Sequence, residues 1–165
     1  MPPAARRLFA FLDAEGLAHQ TVWHAPTFTV EEGRALKAAM PGGHTKNLFM
    51  KDKDGAQVLV AAHADSVLPL NRLHRELGTR RLSFASAELM EAVLSVRPGS
   101  VTAFALMNAE PGQVRFVVDA ALLAEDPLNF HPMVNVATTA ISRADFLRFV
   151  AATGHAITEV DFAAL

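Results

Sequence analysis

The sequence predicts a mixed α/β fold, a single partly antiparallel sheet with helices packed around it. Three observations carry that expectation. Two apolar runs, at residues 44–51 and 57–62, flank Asp54-Gly55, and that glycine accepts the positive φ of a tight hairpin turn. Segments of helical period are interspersed with segments of period two. Their order lacks the strict strand–helix–strand repetition of an all-parallel sheet.

Each element has its own signal. Residues 4–15 have helical spacing, with Ala4, Leu8, Phe11 and Leu12 on one face and Gly16 as a stop. Residues 19–24 read as a strand. Thr29-Val30-Glu31-Glu32 has the spacing of a capping box, in which the Thr oxygen and the Glu carboxylate satisfy free amides at a helix start. That helix carries Leu36, Ala39 and Met40 and ends before Pro41-Gly42-Gly43. In the strand that follows, Lys46, Leu48 and Met50 share one face, and Asn47, Phe49 and Lys51 share the other. Apolar residues on both faces place it inside the sheet. Lys46 therefore either snorkels to water or stands at the mouth of a pocket. The run at 57–62 completes an antiparallel hairpin.

Residues 69–77 read as a helix, with Leu70, Leu73 and Leu77 in phase and Gly78 as its stop. Residues 79–84 form a short extended piece, and Ser86 caps a helix that runs to Leu94. Pro98-Gly99 breaks the chain. Residues 101–107 and 114–118 are expected to be strands, the second alternating Val114, Phe116 and Val118 against Arg115 and Val117. Residues 129–133 are a short segment around His131-Pro132. Ser142 caps a last helix carrying Phe146, Leu147 and Val150, which Gly154 closes, and residues 155–160 are a final strand. With no internal repeat, linker or low-complexity tract, residues 1–165 are expected to form one domain.

Composition narrows the function. The chain has 165 residues, of which 51% are hydrophobic and 19% charged, which suits a globular core rather than disorder. There is no cysteine, which excludes disulfides and thiolate metal sites. No apolar run reaches the ~20 residues of a membrane span, and the first residues lack the apolar core of a secretory signal, so a cytoplasmic location and no membrane partner are expected. The net charge of −2 gives no general pull toward DNA. Yet Lys46, Lys51, Lys53, Arg80 and Arg81 fall in two short clusters, which suits a ligand with a few phosphates.

Familiar catalytic signatures are missing. There is no phosphate-binding Gly-x-x-x-x-Gly-Lys-Ser/Thr, no Gly-x-Gly-x-x-Gly, no His-Glu-x-x-His and no Gly-x-Ser-x-Gly. The seven histidines lack metal-ligand spacing, so no metal is expected, and His63 with Asp65 reads as a solvated loop pair. Three stretches remain. The turn Arg97-Pro98-Gly99-Ser100-Val101 exposes backbone N–H groups that can hold an anion or a carbonyl oxygen, or it is an ordinary connection. Residues 130–135 set His131 and Asn135 among apolar neighbours, where a hydrogen-bonded core histidine is the plainer reading. Arg80-Arg81 alone is a solvated face.

Taken together, these stretches resemble a known family. His44-Thr45-Lys46-Asn47-Leu48-Phe49 with Asp52-x-x-Gly55, Arg81-Leu82-Ser83-Phe84-Ala85-Ser86-x-Glu88, Pro98-Gly99-Ser100-Val101-Thr102, Phe130-His131-Pro132 and Gly154-His155 are similar to the YbaK-like aminoacyl-tRNA editing domains. These are relatives of the insertion domain of bacterial prolyl-tRNA synthetase. Within them the chain most resembles the free-standing alanyl-tRNA(Pro) deacylases. The resemblance runs from residue 30 to the C-terminus.

The resemblance implies hydrolysis of the ester joining alanine to tRNA(Pro), without a cofactor. It implies that Lys46 holds the phosphate or ribose region of the tRNA 3′ end. Asn47 would bond near the scissile ester. Backbone groups of the turn starting at Gly99 would orient the aminoacyl group, and His131 would line the pocket or position water. Ser100, Val101, Phe28 and Leu48 would form the amino-acid pocket. Lys51 and Arg81, with Arg80 and Lys53 beside them, would contact the acceptor stem. The partners implied are aminoacyl-tRNA and, as a further candidate, prolyl-tRNA synthetase. One departure stands out: Ala103 occupies the place where the family usually has proline. The same chemistry on a seryl or cysteinyl ester, or a tRNA-binding module without catalysis, are the alternatives.

Overall fold

The computed structural model describes residues 1–26 and 29–165. Among these described residues eight strands form the sheet: β1 (His19–Trp23), β2 (Gly43–Lys51), β3 (Gln57–His63), β4 (Ser83–Phe84), β5 (Arg115–Asp119), β6 (Leu128–Phe130), β7 (Ala137–Ile141) and β8 (Ile157–Val160). The order across the sheet is β1-β7-β6-β2-β3-β5-β8, with β4 also against β2. Among the described residues six α-helices surround it: α1 (Pro3–Ala14), α2 (Val30–Ala39), α3 (Leu70–Leu77), α4 (Ala87–Leu94), α5 (Ala120–Leu123) and α6 (Arg143–Ala152). The mixed, partly antiparallel sheet is the one expected.

Alternation along the strands makes two cores. Phe49, Leu59 and Phe116 point to one face, where they pack with α1, α4 and α6. Met50, Val58, Val60 and Val117 point to the other, against Leu73 and Leu77 of α3 and Phe162 near the C-terminus. Aromatic rings knit the first core. Phe104 meets Phe130 edge-on at 5.3 Å, and Phe130 stacks on Phe146 at 4.8 Å. Phe130 is 1% exposed, so the residue before His131 is a fixed anchor.

Caps fall where short polar side chains precede apolar runs. Thr29 and Glu32 make the reciprocal capping box of α2, Ser86 accepts from the Leu89 amide, and Ser142 accepts from the Asp145 amide. The hairpin register pairs Lys51 with Gln57 and Lys46 with Ala62.

Three expectations are corrected. Residues 101–107 are not a strand: Ala103–Asn108 form a 3-10 helix, capped by Thr102, whose hydroxyl accepts from the Phe104 amide. An apolar run of that length does not reveal its own period, and a long-range bond to its first amide, described below, favours the turn. Leu147 is 45% exposed, and Phe149 takes the core position of α6 instead. Ala39 is exposed as well, leaving Met40 as the residue that anchors the end of α2. Two elements had no sequence expectation, the edge-side strand β7 and the short α5.

Candidate active site

β2 is paired unequally on its two sides. Against β3 it is paired from Thr45 to Lys51. On its other side it meets β6 only at Gly43 and His44, and β4 only at Met50 and Lys51. No strand among the described residues pairs with residues 45–49 on that side, and the Ala85 amide closes the stretch by donating to the Phe49 carbonyl at 2.9 Å. The start of β2 is held by close backbone approach. A Cβ on Gly42 would lie 2.1 Å from the Pro127 carbonyl oxygen, so only glycine fits there.

This open stretch solves a geometric difficulty. Lys46 and Asn47 are neighbours on a strand, so their side chains leave opposite faces. A continuous sheet would keep them from sharing a small ligand. Where the neighbouring strand is missing, a ligand at the edge can meet both.

On the second-core face, the half-buried Lys46 donates to the Ser66 carbonyl. Among the described residues no carboxylate lies within 4.0 Å of its ammonium. The loop that holds it is built on Asp119, which is 2% exposed. Asp119 Oδ2 accepts from Ser66 Oγ at 2.6 Å and from the His63 amide at 3.1 Å, and Oδ1 accepts from the Ala121 amide at 3.1 Å. Leu48 lies on the same face and packs against the second core.

On the first-core face, Asn47 Oδ1 accepts from the Ala103 amide at 3.0 Å, and its Nδ2 donates to Thr45 Oγ1 at 3.1 Å. Thr45 in turn donates to the Asn129 carbonyl at 2.8 Å. One relay thus ties β2, β6 and the turn containing Gly99. Gly99 takes φ 88°, and a Cβ there would meet only Asn135 Nδ2, at 4.0 Å. The backbone angle, rather than crowding, is what requires glycine. Ser100 is buried and Val101 packs against the first core.

His131 follows β6. Its Nδ1–H donates to the Ala137 carbonyl at 2.9 Å, which leaves Nε2 as a lone-pair acceptor. Burial lowers its pKa; the Ala137 carbonyl opposes this, and His24, with ring centroids 6.3 Å apart, adds to it. His131 is therefore neutral at pH 7. It lines a cavity of about 180 Å³ with His44, Thr45, Asn129 and Thr138. Gly99, Ser100, Val101 and Leu48 do not line that cavity. Phe28 lies outside the described residues.

The basic residues are brought together. Lys51, Lys53, Arg80, Arg81 and Ser83 line one depression of about 460 Å³. Its foundation is Asp52, 5% exposed, whose Oδ1 accepts from the Asp54 and Ala56 amides at 3.0 and 2.8 Å and whose Oδ2 accepts from the Arg80 amide at 3.1 Å. Burial pushes the Asp52 pKa up, but the amides of Ala56, Arg80, Asp54 and Gly55 together outweigh it and hold the carboxyl below the usual range. Arg80 Nε pairs with Asp54 at 3.2 Å. Lys51, Lys53 and Arg81 have no carboxylate within 4.0 Å among the described residues.

Sequence reasoning gave no role to Ser66, Asp119, Thr45 and Asn129; Thr45 stands in the motif quoted above, but its link to Asn129 and Asn47 is assembled only by the sheet register. His63 is not a solvated loop residue. It ends β3, and its Nε2 lies 3.6 Å from Glu125 Oε1. No group of three or more ligating side chains suited to a metal ion occurs among the described residues. None of the described helices is long and apolar enough to cross a membrane.

Comparison with known proteins identifies the family. Residues 24–149 match the family model of the aminoacyl-tRNA editing domain. The chain is 39% identical over 149 residues to the prolyl-tRNA synthetase associated domain-containing protein 1 of Mus musculus, covering 87% of this chain and 88% of that protein. It is 30% identical over 159 residues to the prolyl-tRNA editing protein ProX of Acetoanaerobium sticklandii, covering 96% and 97%. A crystal structure of a candidate trans-editing enzyme for prolyl-tRNA synthetase shares the fold, with a TM-score of 0.75 at 21% identity over 98% of each chain.

Proposed function

Since the chain belongs to the aminoacyl-tRNA editing domain family and is an aminoacyl-tRNA deacylase, we propose that residues 1–165 act as one domain that hydrolyses alanyl-tRNA(Pro). The observation that carries this reading is the uncompensated ammonium of Lys46 at the open stretch of β2, opposite the turn that Asn47 anchors. A binding pocket separates two side chains differing by a methylene or so by only ~1–3 kcal/mol, so a synthetase that admits proline admits alanine, and a second site must remove it.

In this reading Lys46 holds the phosphate or ribose at the 3′ end as a point charge. The amides of Gly99 and Val101 face the developing oxyanion, the Ser100 amide being already given to the Arg97 carbonyl at 3.0 Å. Asn47 and Thr45 fix that turn, and His131 Nε2 accepts a hydrogen bond from the attacking water. Water oxygen bonds to the carbonyl carbon, the ester C–O bond breaks, and the water proton passes to the leaving ribose oxygen, giving free alanine and tRNA. Lys51, Lys53, Arg80 and Arg81 hold the acceptor stem. Val101, Ser100, Leu48 and Phe28 are assigned to the amino-acid pocket by the resemblance, and a prolyl-tRNA synthetase is the natural further partner.

The deciding experiment compares deacylation of alanyl-, seryl-, cysteinyl- and prolyl-tRNA(Pro) at matched concentration. Loss of the alanyl ester with the prolyl ester intact is the expected result. Preferential loss of the seryl or cysteinyl ester replaces the alanine assignment with a sister specificity.

A further inference from the structure

We propose that Phe84 is a stacking platform for an unpaired nucleobase of the substrate's single-stranded 3′ end. The inference rests on the deacylase reading above and adds a residue to it.

Phe84 is 61% exposed, although it belongs to a strand and lies between Leu82 and Ala85, which do find cover. Ala85 is buried, and Leu82 packs against the second core. A single exposed apolar residue is ordinary on a protein surface. What sets Phe84 apart is its surroundings. Its neighbour Ser83, on the opposite face of the two-residue strand β4, lines the depression formed with Lys51, Lys53, Arg80 and Arg81, so the ring and this concentration of positive charge lie on the two sides of one sheet edge, on a chain of net charge −2. Aromatic faces beside a basic groove are how single strands are held without reading sequence.

The register places the ring. Phe84 is directly opposite Met50, so both side chains leave the same face, which is also the face of Lys46. Met50 lies four residue steps along β2 from Lys46, about 13 Å at ~3.3 Å per residue. A few linked nucleotides bridge that distance. With the terminal nucleotide at Lys46 and the stem at the basic depression, the connecting unpaired strand runs past Phe84. The platform is rigid as well: the Ala85 amide donates to the Phe49 carbonyl at 2.9 Å, pinning the backbone beside the ring.

The test uses Phe84→Leu, which keeps apolar bulk without a π face, and Phe84→Trp, which keeps the face. Binding is measured to an uncharged acceptor-stem microhelix of tRNA(Pro) with its single-stranded 3′ end, and to the same duplex cut back to a blunt end. The expected result is that Phe84→Leu weakens binding of the intact microhelix about tenfold or more, leaves the blunt duplex unchanged, and that Phe84→Trp restores binding. Unchanged binding of the intact microhelix by Phe84→Leu overturns the proposal. So does equal weakening on both RNAs, which would mark a merely structural role. Because the readout is binding, a protein that failed to deacylate any tRNA would still answer this question separately.

Discussion

The backbone N–H of Ala103 donates to Oδ1 of Asn47 at 3.0 Å, and this one bond joins the turn after Gly99 to the strand that carries Lys46. A proline at that position would have no N–H to give. The preceding Thr102 is extended, at φ −151° and ψ 149°, and Ala103 opens a 3-10 helix, so proline fits the backbone there. Ala103→Pro is expected to leave stability within about 1 kcal/mol, because the lost bond and the reduced freedom of the unfolded chain nearly cancel. Asn47→Ala is expected to cost roughly 0.5–1.5 kcal/mol more in the wild-type chain than in the Ala103→Pro background. Urea denaturation of the four proteins measures the difference, and strictly additive effects would refute the coupling.

Lys46→Ala is expected to keep the fold and lose deacylation by about a hundredfold or more, since the ammonium donates to the Ser66 carbonyl and has no carboxylate within 4.0 Å among the described residues. Lys46→Arg should recover little, because a planar fork does not replace a compact point charge. Single-turnover deacylation with circular dichroism as the fold control checks both; wild-type turnover by Lys46→Ala would sink the assignment.

Lys51→Ala and Arg81→Ala are each expected to weaken tRNA binding without changing the preference among aminoacyl esters. Each should also lower the slope of log binding constant against log salt by roughly 0.7–0.9 for a lost phosphate contact. A salt titration of tRNA binding measures this, and an unchanged slope in both variants would remove these residues from the RNA interface.

Asp52→Ala tests how the depression is built. The carboxylate holds three amides, one of them that of Arg80, so its loss should weaken RNA binding although Asp52 carries the wrong charge to touch RNA. The same carboxylate has a lowered pKa. Its stabilising contribution is complete above the ordinary carboxylate range and is lost only as pH falls through its depressed folded value. The acid end of the Tm-against-pH curve should therefore flatten in Asp52→Ala.

Two histidines act at higher pH. Burial lowers the pKa of both His131 and His155, against a partial opposing effect from a hydrogen bond in each. The unfolded chain takes up those protons near pH ~6.5 and the folded chain does so only at lower pH. Stability should therefore fall as pH drops below about 6.5. Thermal unfolding between pH 7.5 and 5 checks the sign, and a Tm that rises on acidification contradicts it. Deacylation should decline only at the lower pH at which Nε2 of folded His131 gains a proton, and His131→Asn should remove that limb of the profile.

Much of the fold was legible because its signals are local. The capping box at Thr29, the caps at Ser86 and Ser142, and the hairpin at Asp54-Gly55 each need only a few neighbouring residues, and each formed. The stretch 101–107 failed as a strand because its conformation is decided from outside, by Asn47, which lies 56 residues away from Ala103. β7 was invisible for a related reason. Residues 137–141 are buried on most sides, and a short run such as Ala-Thr-Thr-Ala-Ile lacks the alternation that marks a half-exposed strand. At the site, the basic cluster and Lys46 could be read from the chain, whereas the Ser66–Asp119 support and the Thr45–Asn129 link exist only in three dimensions.

An unpaired strand edge is also an invitation to aggregate, since its free amides and carbonyls can template a foreign strand. Among the described residues β2 leaves residues 45–49 without a partner strand on one side, although the Phe49 carbonyl there is taken by the Ala85 amide. Its protection is visible in the same residues. The unpaired run is too short for a long zipper, β6 and β4 fence its two ends, and Lys46 within it and Lys51 just beyond it would set like charges together if a second copy docked there. The lysines that suit this edge to an anionic polymer thus also guard it against another copy of the chain, so neutralising them should lower solubility as well as activity.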